Sequence, residues 1–207
     1  IWTSDILGTE QVNVTEKLTR SLFRTYPNWS ADKRQISFLA YDPTQELRTS
    51  NGLWLMQADG TAVQKIVSTP DPGLGRPQYL NWFNRGSQFL FLLSDRIFIY
   101  NHESASTTNL SGVFDASDSA PVWTYDGKSI LYAAYQYDPR LLKNVRQIFI
   151  MDADGGHRRQ LTMDGDNYGP AISPDGSQVA YISFKSGYPE IWLIDINGYN
   201  PIQVTSL

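Results

Sequence analysis

The chain has 207 residues, 41% of them apolar and 13% aromatic, with 18% charged residues and a net charge of −4. That is enough apolar side chain for one domain or two small ones, and too little charge for a disordered chain or a coiled coil. The acidic balance without a Lys/Arg cluster argues against nucleic acid and anionic membrane surfaces. No apolar run reaches the ~18 residues of a membrane helix, so no membrane insertion is expected, and the lack of cysteine removes disulfides and thiolate chemistry.

The opening stretch IWTSDILGTEQVNVT reads as strand, turn, strand, with Gly8 where a turn wants a positive φ. It is followed by WSADKRQISF from Trp29, a second hairpin that turns at Asp32-Lys33. Then the first pattern returns as LWLMQADGTAVQKIV from Leu53, and the second as WFNRGSQFLF from Trp82. The alternation continues with IFIYNHESASTTNLS from Ile97, WTYDGKSILY from Trp123, IFIMDADGGHRRQLT from Ile148, ISPDGSQVAY from Ile172 and IWLIDINGYNPIQVT from Ile191. All copies align without gaps. In the first pattern the second position is Trp2, Trp54, Phe98, Phe149 and Trp192. The eighth is Gly8, Gly60, Ser104, Gly155 and Gly198. In the second pattern Ile36, Phe89, Ile130 and Val179 share a position. Phe38, Phe91, Tyr132 and Tyr181 lie two residues on, on the same face of a strand.

Each full unit is four short strands, a–b then c–d, over 43 to 52 residues. One such sheet has two apolar faces and hides neither alone, and stacking the units covers both. Period and strand count predict an all-β fold, a β-propeller of four-stranded antiparallel blades. About four and a half blades are present: a half blade of strands c–d over 1–20, then blades over 21–69, 70–113, 114–164 and 165–207. The recurring aromatics are expected to be mostly buried between blades. The chain opens at a strand c, without an initial Met, and stops after a strand d. The expectation is therefore a piece of a larger ring, whose open edge pairs with the rest of the ring or with a second copy.

SPDGSQVAYIS and MDADGGHRRQLT resemble the WD40-like (PD40) repeat of TolB-type propellers, and the likeness covers nearly the whole chain. The resemblance implies a periplasmic or extracellular propeller with protein partners, since TolB binds other proteins of the envelope. Similar repeats occur in propellers attached to prolyl-oligopeptidase-like serine peptidases and in large secreted or sensor proteins.

Reactive groups are scarce. No G-x-S-x-G is present, and DGKS at 126–129 has Val122 where a phosphate loop needs glycine. DADGG at 152–156 continues with His157 and Arg158 where a calcium loop needs further oxygen ligands. His102 and His157 lie in turns of different units, without a partner at metal-ligand spacing. No catalytic residue, metal or cofactor is expected. What remains is loops. The b–c loops after Ala40 and Ala134 are long, and both open on Tyr-Asp-Pro: Tyr41-Asp42-Pro43 and Tyr137-Asp138-Pro139. Arg48 follows in one, Arg140 and Arg146 in the other. The d–a loops bring Arg76, Tyr79, Asp166 and Tyr168 to the same rim. Loops on a rigid scaffold commonly carry binding. The candidate binding residues are Tyr41, Asp42, Arg48, Arg76, Tyr137, Asp138, Arg140 and Tyr168. The plainer alternative is that Tyr-Asp-Pro only starts a turn. The function expected is a non-enzymatic scaffold presenting a loop-rich rim to a protein or peptide. The alternatives are the propeller of a prolyl-oligopeptidase-like peptidase, or a carbohydrate-active propeller using exposed rings such as Tyr168, Tyr188 and Tyr199.

Overall fold

The computed structural model describes residues 1–18, 22–30, 32–41, 52–68, 78–83, 87–111 and 119–206. These residues hold eighteen strands and no helix. β1 (Trp2–Thr3) and β2 (Val12–Asn13) form a two-stranded sheet. Four antiparallel sheets of four strands follow, each paired in chain order. They are β3 (Phe23–Trp29), β4 (Gln35–Tyr41), β5 (Gly52–Gln57) and β6 (Gln64–Ser68); then β7 (Gln78–Trp82), β8 (Gln88–Leu93), β9 (Arg96–Asn101) and β10 (Ser106–Asn109). Next come β11 (Ser119–Trp123), β12 (Ser129–Asp138), β13 (Lys143–Asp152) and β14 (Arg159–Gln160). The last are β15 (Asn167–Ile172), β16 (Gln178–Ser183), β17 (Glu190–Asp195) and β18 (Ile202–Gln203). The protein is all-β, about four and a half propeller blades. It divides into two compact units, Ile1–Phe89 with Tyr100–Ser106, and Leu90–Ile99 with Thr107–Leu207.

In each unit the repeated aromatics meet across strands b and c. In the first, Phe38 of β4 lies opposite Trp54 of β5, with ring centroids 6.4 Å apart. In the second, Tyr132 faces Phe149 at 5.6 Å, Tyr181 faces Trp192, and Phe91 stacks on Phe98 at 5.5 Å. The b-strand ring is buried in all four blades, while Trp192 is buried and Trp54, Phe98 and Phe149 are half-buried. Trp2 departs from the expectation of a mostly buried set: it is 66% exposed, because its two-stranded sheet has no strand b to lay a ring against it. The apolar core of the first unit gathers Val14, Ile36, Phe38, Ala40 and Met56. That of the second gathers Leu131, Ile148, Leu161, Val179, Tyr181 and Trp192.

Three of the a–b turns, those described in full but for residue 31, share one hydrogen-bonded arrangement. Ser173 Oγ donates to Asp175 Oδ1 at 2.6 Å and accepts from the Gln178 amide at 2.9 Å, while the Ser177 amide donates to Asp175 Oδ1 at 3.0 Å. Thr124 and Asp126 do the same in the preceding blade, as do Ser30 and Asp32 in the first full blade. The next residue is left-handed in each: Gly176 at φ 76°, Gly127 at 71°, and Lys33 at 60°.

The glycine at the eighth position of the c–d pattern has a second reason to be glycine. A Cβ on Gly198 would meet the Leu161 carbonyl oxygen at 3.2 Å, one on Gly155 the Leu110 oxygen at 3.1 Å, and one on Gly60 the Val14 oxygen at 2.0 Å. These three c–d turns therefore rest on the strand-d backbone of the blade before them. Arginine reinforces the contact. Arg159 donates to the carbonyls of Ile196 and Asn197 in the next turn, and Arg158 donates to the Leu110 carbonyl behind. A hydroxyl one residue after the Val14/Leu161 position closes the c–d pair in three of the full blades: Thr162 accepts from the Ile148 amide, Ser111 from Ile97 and Thr205 from Ile191, whereas the first full blade has Val67 there.

Candidate functional site

The segment after Ala134 differs from its expected form. It is not a loop: β12 runs to Asp138 and β13 starts at Lys143, so Tyr137 and Asp138 are strand residues paired with Asn144 and Lys143. The alternating Tyr135-x-Tyr137 suits a pleated strand, and Pro139 then opens the turn. This hairpin continues β12 and β13 at the end of the blade opposite its a–b turn.

Two arginines tie the hairpin to the segment leading into β15. Arg140 lies between two carboxylates, with Nη2 3.0 Å from Asp138 Oδ2 and Nη1 2.7 Å from Asp164 Oδ1. It also donates to the Met163 carbonyl at 3.0 Å. Arg146 pairs with Asp166 through two nitrogens, at 2.9 and 2.6 Å. Its guanidinium lies 4.1 Å from the ring centre of Tyr168, and Tyr168 in turn stacks on Phe184 at 6.2 Å. Such forked pairs and ring stacks fix planar groups in one orientation. Beneath them, the buried Gln147 accepts from Thr162 and Asn167 at 2.6 and 2.8 Å and donates to the Gly165 carbonyl at 2.9 Å. Asn167 itself is fully buried. A cavity of about 160 Å³ opens beside the hairpin, lined by Gln136, Tyr137, Asp138, Arg140, Gln147 and Met163 among others.

The electrostatics follow from the pairing. The hydrogen bond from Arg140 holds the Asp138 carboxyl below its ordinary range and does the same for Asp164, and Arg146 does so for Asp166. The arginines are raised in return. Charge-paired carboxylates of this kind are poor proton acceptors at neutral pH, and a general base needs a value near it. His157 is raised by its bond to Asp152, 2.7 Å away, but it stands 89% exposed in a c–d turn, away from the hairpin. Among the described residues no three His, Cys, Asp or Glu side chains are grouped to hold a metal. The arrangement is a surface of rings and paired charges.

Of the residues picked from sequence, Tyr137, Asp138 and Arg140 share this hairpin and Tyr168 lies against Arg146. Tyr41 ends β4 in the other unit, stacked on Phe23 at 5.3 Å. Asp42, Arg48 and Arg76 fall outside the described residues. Sequence reading placed Arg146 and Asp166 on the rim but missed that they clamp Tyr168. It missed Asp164 and the hydroxyls of Ser111, Thr162 and Thr205, although the recurrence of Ser or Thr there was a readable signal.

No family model matches the chain. Tol-Pal system protein TolB of Hahella chejuensis is 24% identical over 200 residues, 96% of this chain and 39% of that protein. Among solved structures, TolB from Acinetobacter baumannii superposes with a TM-score of 0.70 at 20% identity, covering 99% of this chain and 48% of that one. The tricorn protease matches with a TM-score of 0.67 at 15% identity, over 94% of this chain and 20% of its own. The chain thus spans about half or less of the length of each.

Proposed function

We propose that this TolB-like β-propeller is a non-enzymatic binding module, and that the hairpin rim of its third and fourth full blades receives a protein or peptide. Tyr137, Asp138, Arg140 and Tyr168 lie within this surface, and the corresponding Tyr41, Asp42, Arg48 and Arg76 extend the proposal to the first two full blades. The observation that carries the reading is the clamp. Arg140 between Asp138 and Asp164, and Arg146 between Asp166 and Tyr168, hold the half-buried Tyr168 ring and the charges around it in one shape, which lowers the ordering cost of binding. The TolB likeness supports a partner from a Tol-Pal system and a periplasmic location.

The test uses purified Tol-Pal components of the source organism. Arg146→Ala with Tyr168→Ala weakens the affinity of one of them roughly tenfold or more. Lys128→Glu, at the a–b turn, leaves it unchanged. The reverse ranking places the binding face on the turns instead. The tricorn match supports a second reading, a propeller serving a peptidase. Peptide hydrolysis that tracks the purified chain and disappears on changing one Ser, Asp or Glu overturns the non-enzymatic reading.

A further inference from the structure

The tip of the β12–β13 hairpin is unusually apolar for a surface turn. Leu141 is 50% exposed and Leu142 77%, with Tyr137 at 56% and Met163 at 63%. Single exposed apolar side chains are ordinary, but a group in one hairpin and its clamped neighbour marks an interaction surface. Leu142 also has φ 51°, the left-handed region that hairpin turns usually give to Gly or Asn. A strained, exposed leucine folds no better than glycine would there, so its side chain points to a use outside the fold. The tip is held rather than free: the Arg140 amide and guanidinium both bond Asp138, and the guanidinium reaches on to Asp164. Charge is locally reversed as well. Arg140, Lys143 and Lys185 stand against Asp138 and Asp164, three cations to two carboxylates, on a chain whose net charge is −4.

We infer that Leu141 and Leu142 are anchors that insert into an apolar cleft of a partner protein whose rim carries carboxylates, met by Lys143 and Lys185. This deepens the proposed function and rests on it. A lipid surface fits less well. Two leucines beside a net excess of one cation fall short of the polybasic patch that stable anchoring takes as its second signal. Insertion would also draw Arg140 and Asp164 out of water.

The test pans a displayed library of short random peptides against the intact chain, resynthesises an enriched peptide and measures its Kd by calorimetry. The binder should combine Leu, Phe or Trp with Asp or Glu. Leu141→Ser with Leu142→Gly should weaken it roughly tenfold or more. Leu142→Gly alone should leave the Tm unchanged or raised, because glycine accepts the left-handed backbone, so lost binding cannot be blamed on lost folding. If Arg146→Ala with Tyr168→Ala weakens the peptide while the leucine changes do not, the rim reading stands and the anchor is wrong. If neither pair matters, or no peptide is enriched, both are overturned. Co-sedimentation with vesicles of phosphatidylglycerol and phosphatidylcholine, abolished by the leucine changes, also overturns the anchor and assigns the tip to a membrane.

Discussion

Replacing Gly60 by alanine separates two reasons a turn can demand glycine. A left-handed backbone costs a residue with a Cβ roughly 1–2 kcal/mol. Gly176, at φ 76° with nothing within 4 Å of the place a Cβ would take, isolates that cost. Gly60, at φ 84°, adds a collision: its Cβ would lie 2.0 Å from the Val14 carbonyl oxygen, where ordinary contact begins at 3.4 Å. Backbone cannot rotate aside as a side chain can, so the strand-d segment must shift, and overpacking of this kind costs about 1–3 kcal/mol more. Gly198→Ala, with its contact at 3.2 Å, should fall between. At about 2–4 °C per kcal/mol for a chain of this size, Gly60→Ala should lower Tm by about 10 °C and Gly176→Ala by about 4 °C. Tryptophan fluorescence during heating, with a urea titration at fixed temperature, reads both. Equal losses for Gly60, Gly198 and Gly176 would refute the seating of the Gly60 and Gly198 turns on the preceding blade.

Lys33 occupies the left-handed turn position that is glycine in the corresponding turns of the last two blades, at φ 60°, so Lys33→Gly should stabilise the protein by about 1 kcal/mol in the same urea titration. The turn carboxyls of Asp32 and Asp126 are held low by hydroxyl and amide donors, and Asp175 is brought down to about 2. Their folded values lie below the unfolded one, so their stabilisation is complete above pH ~4 and is lost as pH falls through the folded values. Tm should stay flat in mildly acidic buffer and drop below that, and Ser173→Ala, which removes the leading donor to Asp175, should make the drop smaller. Arg140→Glu puts a third carboxylate beside Asp138 and Asp164 and should lower Tm, whereas Lys128→Glu, at the a–b turn, should not.

Architecture was legible because it is written repeatedly. One hairpin ending in Asp-Gly is only a turn, but four gapless copies with an aromatic at the same place leave little but stacked sheets. The facing of Phe38 on Trp54 and of Tyr132 on Phe149 follows from that alignment once strands b and c are antiparallel. The rim was less legible, because its pairs join residues far apart in sequence. Arg140 and Asp164 are 24 residues apart, Arg146 and Asp166 20, and nothing in either stretch marks them as partners. Tyr-Asp-Pro also misled: a proline two residues past a tyrosine reads as the start of a loop, yet cross-strand pairing carries β12 through Tyr137 and Asp138 before the turn begins. A left-handed Leu142 has no signature in sequence at all, since hairpin turns usually give that conformation to glycine or asparagine.

Tyr137 and Tyr125 offer the most direct test of the central claim that the hairpin rim binds the partner. They are exposed almost equally, 56% and 53%, but Tyr137 lies in the b–c hairpin and Tyr125 in the a–b turn at the other end of the same blade. A photo-crosslinking phenylalanine analogue at each position, irradiated with the Tol-Pal components of the source organism, should join one discrete protein from position 137 and none from position 125. Adducts from position 125 alone, or equally from both, would contradict the account.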